Sequence, residues 1–392
     1  MKKILLASAI ASLFSVTAHA QSSVTLYGII DEGVQFSSNT KNVVNGVNVG
    51  GRQVALDSVS GQQGSRWGLK GAEDLGGGLQ AVFTLESGIN LNTGALGQGG
   101  TEFGRQAFVG LSSRQYGAVT LGRQYDSVVT YTQPVTTIGY AGSTSLNEHP
   151  GDLDNTNNSL RTNNTIKYAS PSFNGLTFGA EVSLGGQAGN VTAGGGYNAG
   201  AAYSNGPLTL GAAYTHFKNP TGAAGTGLFT DNTSGATSLS GLLNSGYVTA
   251  TSYQDAVIGG KYALGPATFG LSYSNVQYGN ITADNGATAK FSNIDAGVTW
   301  AFTPTFSTSV AYDYLKGSGL NGSDLGNQHF NQVSLLADYT LSKRTDIYAA
   351  GSLQKASGTN SQGTAAVADI GNLGDSSNSR QALVRVAIRH KF

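Results

Sequence analysis

Two kinds of connection alternate along almost the whole chain. Short ones rich in Gly, Pro and polar residues fall at 73–78, 114–117, 170–175, 204–207, 264–266, 303–305 and 342–344. Gly and Pro set the dihedrals that tight turns require. Long polar ones fall at 37–62, 91–102, 122–160, 185–191, 218–253, 280–290, 317–328 and 357–379. The segments between them alternate with period two: Leu176, Phe178, Ala180 and Val182 interleave with Thr177, Gly179, Glu181 and Ser183, and Leu79, Ala81, Phe83 and Leu85 with Gln80, Val82, Thr84 and Glu86. A soluble sandwich also alternates, but it does not sort its connections strictly into short and long. Seven turns and eight loops predict an all-β fold, a transmembrane antiparallel β-barrel of about 16 strands with short turns at one rim and long loops at the other.

The composition agrees. Charged residues make up only 11% of the chain without a compensating excess of apolar ones, and Gly contributes 57 of 392 residues. Such a chain suits an outer face in lipid and an inner face in water. Met1-Lys2-Lys3, a short apolar run from Ile4 to Val16 and the small-residue site Ala18-His19-Ala20 read as a secretory signal peptide over 1–20, with the barrel domain at 21–392. Without Lys2 and Lys3, the 22 basic residues fall to 20 against 22 acidic ones, so no nucleic-acid partner is implied. No cysteine is available for a disulfide or a thiolate metal site. Aromatics beside the turns (Tyr168, Phe173, Tyr203, Tyr262, Phe302, Phe306, Tyr339) suit an interface girdle.

The segment 122–160 is too long for an ordinary connection, and unstructured stretches of this length are usually functional or disordered. Arginines stand at both of its flanks, at Arg105 and Arg161, and the expectation is an inward fold that narrows the channel. In the last segment Val384, Val386, Ile388 and Phe392 share one face and Arg385, Arg389 and Lys391 the other. Cations on one face suit a watery lumen, and pairing with 24–30 would close the barrel and protect the edge.

VTLYG at 24–28, RWGLKG at 66–71 with EDLG at 73–76, FGRQAFVGL at 103–111, LGR at 121–123, NTIKY at 164–168 and the terminal Phe392 together resemble the general porins of Gram-negative outer membranes, most closely the beta-proteobacterial type. The resemblance covers the chain from 21 onward. It implies an outer-membrane homotrimer of sixteen-stranded barrels, surrounded by lipid and lipopolysaccharide and passing small hydrophilic solutes and ions by passive diffusion. It implies that the third loop dips into the lumen and that Phe392 is a signal to the barrel assembly machinery. Motif matching puts Arg66, Arg105 and Arg161 on the positions of a wall arginine ladder.

Parity gives an independent reading. Trp67 and Leu69 outward send Arg66 and Lys70 inward; Phe108 outward sends Arg105 inward; Ile166 and Tyr168 outward send Arg161 and Lys167 inward. A cation at mid-depth on the lipid face costs about 2–4 kcal/mol, so the lumen is preferred. The family often carries acids after the Pro of this loop, but PVTTIG at 134–139 has none. The acids available to face the arginines are Asp126, Glu148, Asp152 and Asp154. Fewer acids at the constriction would favour anions.

Other readings find little support. An EF-hand starting at Asp152 would need Gly at its sixth position and Glu at its twelfth, where Asn157 and Asn163 stand. An enzyme needs a nucleophile beside a positioned base, and His149, His216, His329 and His390 lie in no such motif. A sugar channel would be expected to carry an aromatic track, and a secreted adhesin would not need the barrel. The reading is a channel with no cofactor and no metal.

Overall fold

In the computed structural model, which describes residues 23–142, 146–186, 188–189, 195–218, 243 and 245–392, the alternating segments form one closed antiparallel sheet. The sequence-assigned signal peptide lies outside the described residues. There are sixteen wall strands. β1 is Ser23–Thr40. β2 comes in two segments, Gly51–Asp57 and Arg66–Gly76. There follow β3 Leu79–Gly88, β4 Gln106–Ser113, β5 Gly117–Gln124, β6 Thr162–Ala169, β7 Leu176–Ser183 and β8 Gly196–Asn205. The second half comprises β9 Leu208–Lys218, β10 Ala250–Leu264, β11 Ala267–Ile281, β12 Ala287–Thr303, β13 Phe306–Ser318, β14 His329–Thr340, β15 Thr345–Ser357 and β16 Arg380–Lys391. Each strand pairs with the next, and β16 returns to β1, so no edge is left open.

The alternation sorts side chains as the sequence implied. On β16, Val384, Val386 and Ile388 face outward while Leu383, Arg385 and Ala387 are buried inside. Around the turn rim, Phe173, Tyr262, Phe302 and Tyr339 are exposed on the outside, and Phe302 stacks on Phe306 at 5.6 Å. The turns are as tight as their composition requires. Gly117 has φ +86°, and a Cβ there would lie 2.2 Å from the Ala169 carbonyl oxygen.

Three local expectations change. The closing strand pairs with residues 29–37 of β1 rather than 24–30, because the lower part of β1 extends past Phe392 and pairs on its other side with β2. The backbones of Phe392 and Gly28 exchange two hydrogen bonds of 3.1 Å. The segment 51–57, inside an expected loop, is strand. Phe108 does not face outward: Val109 and Leu111 do, and Phe108 lies opposite Thr84, on the face of Lys70. Arg105 precedes the first strand residue, Gln106, so alternation no longer dictates its direction.

Between the two segments of β2, residues 58–65 bend into the lumen. The Gln63 amide donates to Asp31 Oδ2 at 3.1 Å and the Gln62 amide to the Tyr348 hydroxyl at 3.0 Å. The third loop, between β5 and β6, crosses the interior. Its first helix, Ser127–Tyr131, is capped by Asp126 and packs on β7, β8 and β9; a second, Thr137–Tyr140, reaches β11 and β12. Beyond it, on the far side of the lumen, a buried apolar core fills the loop end of the barrel. Tyr247, Tyr278, Phe291, Phe217, Phe330 and Leu153 are its largest members.

Candidate functional site

Two walls of the lumen face the third loop. On the first, made by β1 to β6, Glu86 at the end of β3 is the hub. Its carboxylate accepts from Arg105 Nε at 2.7 Å, from the Tyr125 hydroxyl at 2.8 Å and from the Tyr27 hydroxyl at 2.9 Å. Arg105 Nη2 also donates to the Tyr125 hydroxyl at 2.8 Å. Arg66 stands 3.9 Å from Glu86, and Arg161 donates to the Ser159 carbonyl at 3.2 Å. Arg161 Nε has no protein partner among the described residues. Burial, and next the charge of Arg105, push the Arg161 pKa down to about 9, which still leaves it charged at neutral pH.

All of these groups but Tyr27 line a cavity of about 460 Å³. The third loop closes its other side with Val129, Gln133 and Asn157 to Ser159, and the second loop contributes Gln98. Three guanidiniums and the single carboxylate of Glu86 therefore meet this space. Sequence reasoning missed Glu86 as a site residue, although its place on the polar face of β3 was a usable signal.

The other cations named from the sequence lie elsewhere. Lys70 Nζ sits 5.2 Å above the Tyr27 ring. Lys167 donates to the Tyr125 carbonyl at 2.7 Å and to Thr130 Oγ1 at 2.9 Å, tying down the root of the third loop. Arg385 is fully buried and paired with Asp31 at 3.1 Å and Asp57 at 2.7 Å. Arg389 is paired with Asp346 at 2.9 Å.

The four loop acids do not join the arginines. Asp126 caps the loop's first helix and accepts from Asn155 at 3.1 Å. Asp152 accepts from the amides of Asn157 and Ser159, and Glu148 accepts from the Asn157 side chain. Asp154 faces the second wall, accepting from Ser274 on β11. All four are buried. The loop has no periodicity from which their direction could have been read.

At the second wall, His149 Nδ1 lies 2.7 Å from Asp154, and Nε2 lies 2.9 Å from Asp295 on β12 and 3.6 Å from Asp313 on β13. Both ring nitrogens face carboxylates, which is the setting of a doubly protonated imidazolium. Burial opposes its charge, but Asp154 and Asp313 outweigh burial and hold its pKa well above the usual histidine range. His149 thus pins the third loop to the wall, a role its sequence context did not disclose.

Residues 7–359 match the Gram-negative porin family. The chain belongs to that family. Among relatives, this porin is 41% identical over 190 residues to an outer membrane porin protein of Bordetella pertussis, covering 47% of this chain and 48% of the relative. It is 37% identical over 185 residues to outer membrane porin protein 32 of Delftia acidovorans, covering 46% and 48%. The chain spans about half the length of the curated relatives it matches. Its fold is that of the anion-selective porin from Comamonas acidovorans (TM-score 0.71, 24% identity, 95% of this chain and 100% of that one). It also resembles OmpT, an outer membrane protein of Vibrio cholerae (TM-score 0.63, 15% identity, 95% and 98%). The porin is an outer-membrane multi-pass β-barrel.

Proposed function

We propose that the barrel is a channel for passive diffusion of small hydrophilic solutes and ions, narrowed where the third loop faces Arg66, Arg105 and Arg161, and that it prefers anions. The observation that carries this reading is the unequal charge around the cavity: three guanidiniums against Glu86 alone, with every described acid of the third loop turned away. An anion entering that space replaces hydration with charge-assisted donors, while a cation meets net repulsion. Arginine suits the task because it stays charged in a crowded, partly dry setting. The Comamonas acidovorans porin of the same fold is described as anion-selective, which agrees. The resemblance adds a homotrimer, contact with lipopolysaccharide and recognition of Phe392 by the assembly machinery. A trimer form is described for the Vibrio cholerae protein.

The test is single-channel conductance and reversal potential of refolded protein in planar bilayers under a KCl gradient. Wild type gives a large, linear conductance with an anion-selective reversal potential, and Arg105→Ala moves that potential toward cations. Cation preference in wild type sinks the charge argument, and a correctly folded barrel that does not conduct sinks the channel.

A further inference from the structure

The wall has one large irregularity, and it lies beside the cavity. Ile29 of β1 is opposite Arg66 of β2, and Gly33 is opposite Asp57. From 29 to 33 β1 takes four steps, while from 57 to 66 β2 takes nine, so five residues of β2 are in excess. An ordinary bulge adds one residue to one strand; here residues 58–65 leave the sheet altogether. Ser65 repairs the gap in the ladder. Its hydroxyl accepts from the Asp31 amide at 3.0 Å and donates to the Asp31 carbonyl at 3.1 Å, so the buried backbone of β1 keeps its partners. The excursion then turns toward β14, β15 and β16. The Gln62 side chain donates to Asp338 on β14, the Gln62 amide donates to Tyr348 on β15, and the Gln63 side chain accepts from Arg389 on β16 at 3.2 Å. Gly61 lies so close to the Asp31 carboxylate that a Cβ would overlap it. The third loop reaches the same place from the other side. Its Gly142 packs on Leu336 of β14, and a Cβ there would lie 3.5 Å from Gln62 Oε1.

We infer that residues 58–65 are a second constricting element, which together with the third loop sets the largest solute the channel passes and does so without choosing its charge. The two internal segments meet over β14, and between them they cover the inner wall from β7 round to β16. What they leave open is the cavity beside β2 to β6. Val59 and Gln63 line it from one segment, and Val129 and Gln133 from the other. Val59 is 42% exposed, so its side chain stands free at that boundary. Residues 58–65 carry no ionisable side chain. Their contribution is width and neutral hydrogen bonding, which select among uncharged solutes, while the arginines supply the electrostatic part. The inference rests on the channel reading.

The experiment deletes residues 59–63. This joins Ser58 to Gly64 and gives β2 the same number of steps as β1 between Asp57 and Arg66. Wild type and variant are compared in planar bilayers under a KCl gradient and in liposomes swelling in glucose or raffinose. Heat-modifiable migration verifies the fold. The deletion is expected to raise single-channel conductance and to raise the raffinose rate relative to glucose, with the reversal potential left at the wild-type value. Should the deletion not fold, Val59→Cys carries the test, in a chain that has no other cysteine. A bulky neutral methanethiosulfonate reagent should then cut the current in discrete steps that dithiothreitol reverses. A folded deletion variant with wild-type conductance and sugar ratio overturns the inference. So does complete labelling of Val59→Cys, verified by mass, with no drop in current. A reversal potential that moves while the sugar ratio stays fixed also overturns it, since the segment would then act on charge. A wild type that does not conduct sinks the channel reading itself, whereas a conducting wild type whose size limit the deletion leaves unmoved sinks this inference alone.

Discussion

The two walls facing the third loop hold similar numbers of charges and use them in opposite ways. On the β1 to β6 side, Arg66, Arg105 and Arg161 reach a cavity and share one carboxylate. On the β11 to β13 side, Asp154, Asp295 and Asp313 surround one imidazole, and the loop seals them from the lumen. The first wall has an excess of positive charge that solutes can feel. The second has an excess of negative charge that they cannot reach, and its strength goes into holding the loop. Access, more than charge count, separates a selectivity element from an anchor.

The largest effect should come from a cation on β16, the strand that closes against β1, that is used as on the second wall. Arg385 is fully buried between Asp31 and Asp57, and Tyr348 donates to the same Asp31 at 2.6 Å. Arg385→Ala leaves two carboxylates uncompensated where β16 meets β1. Breaking a buried pair costs about 3–5 kcal/mol, so unfolding in guanidinium should shift to clearly lower denaturant while ion selectivity of the surviving channels stays put. A large selectivity change without loss of stability would move Arg385 to the open class and blur the comparison.

His149→Leu tests the anchor. It removes the imidazolium and leaves Asp154 facing Asp295. The carboxylates can relieve part of the strain by taking up protons, so the expected cost is local, on the order of 2–3 kcal/mol in loop docking rather than in the barrel. Single-channel traces should become noisy, with added open levels, at an unchanged unfolding midpoint. Quiet traces at wild-type conductance would mean that the packing of Leu153, the Asp126 cap and the Tyr253 hydroxyl, which donates to the Leu153 carbonyl, hold the loop without it.

Glu86→Gln and Arg66→Ala are the smaller, opposed pair. The first removes the one acid of the cavity and should strengthen anion preference. The second removes one cation 3.9 Å from that acid and should weaken it. Arg66→Ala should change stability by no more than about 1 kcal/mol, since its ion pair is long and partly exposed. Reversal potentials moving in the same direction for both variants would refute the simple charge balance.

How much of this was legible in the sequence follows from where periodicity holds. The turns could be placed because alternation stops there, and β9 to β16 were read nearly to their ends, but the first long loop was drawn too wide, since 51–57 within it is strand. The split in β2 was missed because 58–65 is a run of Ser, Gly and Gln broken only by Val59, which looks like any external loop. Its inward bend depends on Asp31 and Tyr348, far away in sequence. Glu86 was within reach, since it sits on the polar face of a well-patterned strand. Asp126, Glu148, Asp152 and Asp154 were not, because a loop without period two carries no parity. Their directions are fixed by caps, Asx contacts and wall residues more than a hundred positions distant.

The smallest effect is a pH dependence of the anchor. Asp152 is pushed up to about 7 by burial and next by the charge of Asp154. Glu148 is raised by burial and next by Asp152 and Asp369. A raised carboxylate pKa means that the docked loop binds the proton more tightly than the free loop does. Docking is then strongest below the free value near 4, weakens as pH rises through the window up to about 7, and levels off above it. Hydrogen exchange corrected for intrinsic rates should show protection of the Asn157 and Ser159 amides, both donated to Asp152, falling across that window. Protection that stays flat from pH 4 to 8 in wild type would mean the docked loop tolerates both ionised acids, and the anchor would then rest on His149 alone.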